Sequence, residues 1–261
     1  MKKEDIQIRD PFILPVAATQ TYYLFGATDK DCWKGPAEGF DCYRSPDLET
    51  WEGPFPAFRP APDFWATMNF WAPEVHEWQG HYYMFASFKA PRRYRGTQIL
   101  RAEKPEGPYT PLTPSPITPP DWQCLDGTLH VDTAGKPWIV FCHEWVQVKN
   151  GAIYAMRLSD DLTRAVSRPV FLFNASEGPW VKRSEWPEVE TKFSFPNYVT
   201  DGPFLYRTTD GVLLMLWSSR GEHGYAMGIA RSASGTVEGH WEHDAQPIWG
   251  KDGGHGMIFR A

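Results

Sequence analysis

The sequence of 261 residues has only four cysteines, and none of them forms a CxxC pair. Such sparse cysteines exclude a disulfide scaffold, so we expect reduced thiols. No stretch approaches the roughly 18 consecutive apolar residues of a membrane span. The N-terminal segment MKKEDIQIRD also lacks an apolar region behind its lysines. We therefore expect no membrane partner, and either a cytoplasmic protein or a secreted one whose signal peptide is absent from this sequence.

Positive charge is scarce as well. The formal net charge is -6, the pI is near 5.8, and no long run of Lys or Arg occurs. Nucleic-acid binding normally requires a basic patch that neutralises phosphates. The sequence therefore predicts no nucleic-acid partner.

Aromatic and turn-forming residues are abundant, with 13 Trp, 11 Tyr, 16 Phe, 24 Pro and 22 Gly. Helical periodicity is hard to find, whereas short aromatic and β-branched runs recur between Gly, Pro, Asp and Asn. Such runs are TYYLFGAT (21–28), HYYMFASF (81–88), KPWIVFC (136–142) and GVLLMLWSS (211–219). This pattern predicts an all-β protein.

A longer repeat organises these strands, because each follows a segment that begins with a polar residue near Pro or Gly. The five leading segments are RDPFIL (9–14), WAPEVHEW (71–78), LDGTLHV (125–131), TDGPFLYR (200–207) and GGHGMIFR (253–260). Their spacing suits the four-stranded blade of a β-propeller. We predict a five-bladed β-propeller forming a single domain over residues 1–261. The fifth blade is expected to be incomplete at the C-terminus, which favours a truncated gene product.

The innermost strands of a propeller run along its axis, so equivalent polar residues from successive blades converge. This predicts a central funnel lined by Asp10, Glu74, Asp126, Asp201 and His255. Neighbouring carboxylates push their proton affinities apart. Glycoside hydrolysis needs that division, with one acid protonated and one carboxylate ionised. The alternative is that an Asp before Gly or Pro simply caps a turn.

The motifs RDPFIL, FWAPEVHEWQGHYYMF, LDGTLHVDTAGKPWIVF, TDGPFLYR and GGHGMIF, in that order, resemble glycoside hydrolase family 43 over nearly the whole chain. The resemblance implies an inverting mechanism on a five-bladed propeller, usually on glycans that contain arabinose or xylose. It implies that Asp10 is the general base and that Asp126 orients and tunes the general acid.

The acid itself is left open by the sequence. The family's acid is usually a Glu in an EGP motif, and Asp201 occupies the equivalent place in TDGPFLYR with a side chain one methylene shorter. Glu177 lies in a true EGP triplet, SEGPW, but no aromatic strand follows it. Both residues could face the cleft, one as the acid and the other as a substrate ligand. Glu144 is a third acidic candidate, with a strand hydrogen-bonding role as its alternative.

Further residues are candidates for binding substrate. Phe70, Trp71 and Trp145 could form the apolar wall of a sugar pocket, because aromatic faces stack on the C–H faces of sugar rings, or they could belong to the core. Glu74 could orient substrate or serve a structural role. Arg220 could bind a sugar hydroxyl or simply be an exposed arginine.

His255 resembles the family's axial histidine, which lies beneath the substrate and often contributes to a largely water-ligated calcium site. We therefore expect His255 near a structural calcium ion in the central channel, although calcium prefers oxygen ligands. No cofactor is expected for the chemistry itself. The HEW triplet at 143–145 lacks the HExxH spacing of a zinc protease.

The leading functional hypothesis is an exo-acting hydrolase, of the α-L-arabinofuranosidase or β-xylosidase type, that releases terminal arabinofuranosyl or xylosyl units from plant-type glycans or oligosaccharides. The expected partner is a carbohydrate substrate, and assembly into a homo-oligomer is left open. The alternatives are an endo-arabinanase, an exo-galactosidase of the same family, or a non-catalytic carbohydrate-binding propeller.

Overall fold

A computed structural model describes residues 1–184 and 196–260 of the chain. Within these residues the strands form four antiparallel sheets of four strands each, and each sheet keeps its strands in chain order. The longest α-helix of the described part, α1 (Trp145–Val148), has four residues. No helix in the described ranges could cross a membrane. The all-β prediction is confirmed, and each sheet has the up-and-down order of a propeller blade.

The chain divides into two compact units, of which the first comprises Met1–Ile117 and Met257–Ala261. It contains the first two sheets. The strands of the first sheet are β1 (Arg9–Val16), β2 (Thr21–Ala27), β3 (Phe40–Ser45) and β4 (Glu52–Phe58). Those of the second are β5 (Met68–Trp78), β6 (His81–Lys89), β7 (Gly96–Ala102) and β8 (Thr110–Pro111).

Aromatic packing holds this first unit together. Phe40, Phe58, Phe70 and Phe88 are each no more than 1% exposed, and their ring centroids lie 4.8 to 6.2 Å apart. Most of these pairs are edge-on or tilted, as aromatic quadrupoles prefer. This cluster explains much of the phenylalanine content by burial alone.

The second unit comprises Thr118–Gly256 and contains the other two sheets and α1. The strands of the third sheet are β9 (Cys124–Val131), β10 (Pro137–His143), β11 (Ala152–Arg157) and β12 (Val170–Asn174). Those of the fourth are β13 (Asp201–Arg207), β14 (Leu213–Gly221), β15 (Gly224–Ser232) and β16 (Trp241–His243). Phe173, Trp180 and Trp217 pack in the core of this unit. The single-domain prediction stays a prediction.

The first strand of every sheet is irregular near the polar residue that the sequence singles out. The pairing register shifts between Arg9 and Phe12 in β1, at two places within 68–74 in β5, between 125 and 128 in β9, and between Asp201 and Phe204 in β13. Left-handed φ angles occur there at Asp10 (49°), Asn69 (50°), Asp126 (54°) and Gly202 (51°). Such bulges bend a strand and re-aim its side chains. Each repeat therefore shares a backbone irregularity as well as a residue pattern.

The prediction of a fifth blade is wrong. Residues 253–260 form no strand in the described part of the chain, so four blades are present. The backbone of this segment bonds differently, with His255 N donating to Ser218 Oγ at 2.8 Å and Gly256 N lying 3.3 Å from Met227 Sδ. Further along, Met257 Sδ accepts from Ile13 N at 3.0 Å. The segment resembles a first strand in sequence but has no ladder partner.

Candidate active site

Asp10 lies in the bulge of β1, in the first unit. Its φ of 49° is in the left-handed region, which Asp and Asn tolerate better than bulkier residues. Its carboxylate accepts a hydrogen bond from Arg9 Nε at 3.2 Å, and the side chain is 16% exposed. The predicted base is thus an accessible carboxylate whose orientation is fixed by the strand irregularity and by the adjacent guanidinium.

A stack of alternating cations and rings adjoins this carboxylate. The Arg9 guanidinium lies 4.0 Å from the ring centroid of Trp33, Trp33 meets Trp71 edge-on at 5.1 Å, and the Arg95 guanidinium lies 3.8 Å from the Trp71 ring. Each cation is attracted by the negative face of its ring. Two indoles and two guanidiniums therefore stabilise one another beside Asp10.

Trp33 is the exposed member of this stack, with 53% of its surface accessible. Its backbone is nonetheless tied down, since Trp33 N donates to Asp31 Oδ1 at 2.9 Å and Asn69 Nδ2 donates to Trp33 O at 3.2 Å. Trp71 Nε1 donates to the neighbouring Cys32 O at 2.6 Å. A large exposed aromatic side chain on a loop held this way has the chemistry needed to stack on the apolar face of a sugar ring.

Sequence reasoning selected Trp71 but missed Trp33, Arg9 and Arg95. The segment between β2 and β3 is rich in Asp, Gly, Pro and Lys, and no role is assigned to it from the sequence. The available signal was a tryptophan in a polar loop directly after β2, the strand that pairs with the Asp10 strand β1. Cation stacking could not be inferred, because it depends on loop conformation.

A different cluster lies in the second unit, around Asp126 and Asp201. Asp126 is 7% exposed, and its Oδ2 accepts a hydrogen bond from Gly202 N at 3.0 Å. His255 Nδ1 lies 3.7 Å from the same oxygen. A Cβ at position 202 would lie 2.7 Å from His255 Cγ, so glycine is required both for the left-handed φ and for the close approach of the histidine.

Asp201 is the first residue of β13, and Tyr225 on β15 donates its hydroxyl to Asp201 Oδ2 at 3.0 Å. Burial of the carboxyl group, followed by the negative charge of Asp126, raises the pKa of Asp201 to about 7. His255 and the Tyr225 hydrogen bond act in the opposite direction, and Glu144 adds to the rise. Asp201 therefore holds a proton in the neutral range beside a second carboxylate.

Glu177 lies outside this cluster, whereas the alternative assignment of Glu177 as the acid required it to face the same cleft as Asp126. It ends a 3₁₀ turn (Ala175–Glu177) after the outermost strand of the third sheet, and its residue is exposed. Its Oε1 accepts from Asn174 N at 2.8 Å in a capping box. Glu144 is 8% exposed, precedes α1 and is close enough to influence the pKa of Asp201.

The other candidate binding residues differ in their surroundings. Phe70 has no exposed surface and belongs to the phenylalanine core, so its assignment to a pocket wall is corrected. Trp145 is 5% exposed within α1, which likewise favours the core. Glu74 is 5% exposed and its Oε2 lies 3.2 Å from His76 Nε2, a structural pairing. Arg220 is half-buried near the end of β14, in register with Tyr225.

The surroundings of His255 bear on the predicted calcium site. His255 contributes a ring nitrogen next to one Asp126 oxygen, and its backbone N–H bonds to Ser218. No group of three or more His, Cys, Asp or Glu side chains is arranged to hold a metal within residues 1–184 and 196–260. Calcium prefers six or more oxygen ligands. The described side chains do not fit a protein-ligated calcium ion, and His255 is assigned here to the carboxyl pair.

Comparison with known proteins identifies the family of the chain. The model of Glycosyl hydrolases family 43 matches residues 5–260. The endo-arabinase from Bacteroides thetaiotaomicron VPI-5482 is 41% identical, with a TM-score of 0.91 over 100% of this chain and 87% of that chain. The chain belongs to glycosyl hydrolases family 43, and it is a glycoside hydrolase with a β-propeller fold.

More distant structures share the fold. The endo-1,4-beta-xylanase from Bacteroides thetaiotaomicron VPI-5482 is 25% identical, with a TM-score of 0.70 over 92% of this chain and 73% of that one. The alpha-L-arabinofuranosidase from Lactobacillus brevis is 18% identical, with a TM-score of 0.70 over 95% of this chain and 77% of that one. No curated protein sequence matches the chain.

Proposed function

We propose that the chain is an inverting hydrolase of α-L-arabinofuranosyl linkages, with Asp201 as general acid and Asp10 as general base. The observation that carries this proposal is the pair of Asp126 and Asp201, in which burial and the Asp126 charge raise the pKa of Asp201 to about 7. A carboxyl group with that pKa remains substantially protonated in neutral solution and can still release its proton during reaction.

In the proposed reaction Asp201 gives its proton to the glycosidic oxygen as the bond to the anomeric carbon breaks. Water attacks that carbon from the opposite face and transfers a proton to Asp10. Asp126 Oδ2 accepts a hydrogen bond from Gly202 N, and the negative charge of Asp126 helps to raise the pKa of Asp201 before the reaction.

Asp201 is preferred to Glu177 as the acid because of their surroundings. The Glu177 carboxylate accepts hydrogen bonds from the backbone and side chain of Asn174 at an exposed turn, where it serves as a cap. Asp201 instead accepts a hydrogen bond from Tyr225, and burial and the charge of Asp126 raise its pKa to about 7. The shorter side chain of Asp201 is compatible with the role.

Arabinan is the substrate class best supported. The support is the 41% identity to a protein described as an endo-arabinase, together with the aromatic surface of Trp33 and Trp71 for a sugar ring. Internal cleavage is therefore the proposed mode. Release of terminal arabinofuranosyl or xylosyl units, as expected from the sequence, is the alternative.

The test compares linear arabinan, arabino-oligosaccharides, and aryl α-L-arabinofuranosides and β-xylosides. Internal cleavage is expected to produce a series of oligosaccharides from arabinan, whereas terminal cleavage produces only monosaccharide. The first product, followed by ¹H NMR, is expected to be the β-anomer. An initial α-anomer would exclude inversion, and sugar binding with no hydrolysis of any substrate would favour a non-catalytic carbohydrate-binding protein.

A further inference from the structure

Tyr225 is held in place by a short segment that we call the strap, residues 249–256. The Tyr225 backbone N–H donates to Asp252 Oδ1 at 3.0 Å, and Gly253 N donates to Tyr225 O at 2.9 Å. A Cβ at Gly254 would lie 2.6 Å from Cε1 of the Tyr225 ring. The phenol ring therefore packs against bare glycine backbone, which fixes where its hydroxyl points.

The hydroxyl points at the proposed acid, since Tyr225 Oη lies 3.0 Å from Asp201 Oδ2. We propose that Tyr225 is a positioning residue for Asp201, holding Oδ2 so that the transferable proton lies on Oδ1. This inference rests on the proposed function, because it assumes that Asp201 is the acid. The positioning of Tyr225 gives a role to the strap, which overlaps the segment that the sequence predicted as the start of a fifth blade.

The arrangement acts on the proton-transfer step. The Oδ1–H bond of Asp201 breaks as the proton moves to the glycosidic oxygen, and that oxygen keeps the electron pair of the broken C–O bond. Asp201 becomes a carboxylate, and its hydrogen bond from Tyr225 strengthens because charge-assisted hydrogen bonds are the stronger kind. An interaction that strengthens during the reaction accelerates it rather than merely improving binding.

Other groups facing Asp201 have different partners. Asp126 Oδ2 accepts from Gly202 N and adjoins the His255 ring, and His255 N donates to Ser218 Oγ. Glu144 and Cys142 also lie within electrostatic range of Asp201. The charges of Asp126, His255 and Glu144 bear on whether Asp201 is ionised, whereas the Tyr225 hydroxyl donates to one particular oxygen.

The test measures how Tyr225→Phe depends on the leaving group. Linear arabinan needs a proton on its departing oxygen, whereas a 2,4-dinitrophenyl arabinoside or arabinobioside does not. With arabinan we expect kcat to fall roughly ten- to hundredfold, the effect of losing a hydrogen bond to a charged group, with KM unchanged. With the dinitrophenyl substrate the loss is expected to stay within about threefold. Tyr206→Phe, which removes a hydroxyl from β13 in the same sheet, is the matched control.

Equal losses on both substrates, a change confined to KM, or the same pattern in Tyr206→Phe would overturn the proposal. If circular dichroism shows that Tyr225→Phe does not fold, Gly254→Ala decides by the same criterion, because its new methyl group would lie 2.6 Å from both Tyr225 Cε1 and Ser218 Oγ and so shifts the phenol ring. Asp201→Asn, assayed in parallel, separates the two levels of inference. If it lacks leaving-group dependence, the acid assignment fails, and if it has that dependence while Tyr225→Phe does not, only the positioning role fails.

Discussion

The two acidic regions of this chain are built in contrasting ways. Asp10 is accessible and adjoins a cation and an exposed indole, with a second indole and guanidinium behind it. Asp201 is half-buried, lies within the field of the Asp126 charge and accepts a hydrogen bond from a tyrosine hydroxyl. The contrast shows how one residue type meets different surroundings, since burial and a negative charge raise the pKa of Asp201, whereas Asp10 accepts a hydrogen bond from a guanidinium. In the proposed function, the first region supplies the sugar-binding surface and the second supplies the proton.

The largest expected effect comes from the second region. Asp201→Asn is expected to lower kcat on arabinan by about 10²- to 10⁴-fold, because a general acid contributes that much. Glu177→Gln is the matched control and is expected to leave kcat nearly unchanged, since its carboxylate caps an exposed turn. Steady-state kinetics on both variants checks this. If Glu177→Gln were the inactive variant, Glu177 and not Asp201 would be the acid, and the contrast between the two regions would rest on the wrong residue.

Packing around the carboxyl pair is the next point of contrast. Gly202→Ala is expected to lower the free energy of unfolding by about 1–3 kcal/mol, because a left-handed residue gains a methyl group facing the His255 ring. Gly211→Ala also changes a glycine of positive φ, 92°, but nothing lies within 4 Å of the added Cβ. Denaturant titration of both variants measures the difference. Equal losses would mean that backbone strain alone, and not contact with His255, requires glycine at 202.

A smaller effect, on KM instead of kcat, is expected from the first region. Trp33→Ala is expected to raise KM for arabino-oligosaccharides by about tenfold with kcat little changed, because it removes a stacking surface and leaves the carboxyls intact. Phe171→Ala removes another exposed aromatic residue, 47% accessible on β12, and serves as control. A kcat loss without a KM change would show that Trp33 acts on the chemistry through Arg9 and Asp10 instead.

The smallest expected effect is a shift in the pH profile of kcat/KM. In the wild type, kcat/KM is expected to fall as the pH rises through about 7, where Asp201 loses its proton. Asp126→Asn removes a negative charge that raises the pKa of Asp201, so the falling limb should move to lower pH. Asp160→Asn, the control, alters a surface ion pair with Lys136 and should leave the limb in place. An unmoved limb in Asp126→Asn would remove Asp126 from the tuning role.

The parts of the fold that the sequence predicted are those with a local signal. The alternating runs around residues 21–28 and 211–219 predicted strands because hydrophobic periodicity is a local property. The segment 253–260 carried the same leading motif as β1, but a strand exists only where another strand pairs with it. Pairing is a tertiary property, so the fifth blade could not be tested from the motif alone.

The residues of the candidate site also divide into those with a sequence signal and those whose surroundings only the structure shows. Asp10, Asp126 and Asp201 were found because they repeat at equivalent places in a recurring motif. Phe70 and Trp71 are sequence neighbours that the sequence treated alike, although one is buried and the other half-buried. Trp33 and Tyr225 belong to no repeat, and their importance comes from contacts with Arg9 and Asp201 that only three-dimensional structure provides.

The left-handed backbone at the strand bulges limits which residues evolution can try at two of the three acidic positions. Asp10 and Asp126 themselves have φ near 50°, a conformation that favours Asp, Asn and Gly and penalises bulkier or branched side chains. At the third acidic position the left-handed residue is Gly202, one place further along, so the backbone at 201 is free of that restriction. Aspartate and glutamate can therefore exchange at 201 with little conformational penalty, whereas the two earlier aspartates lie where the main chain itself selects a short side chain.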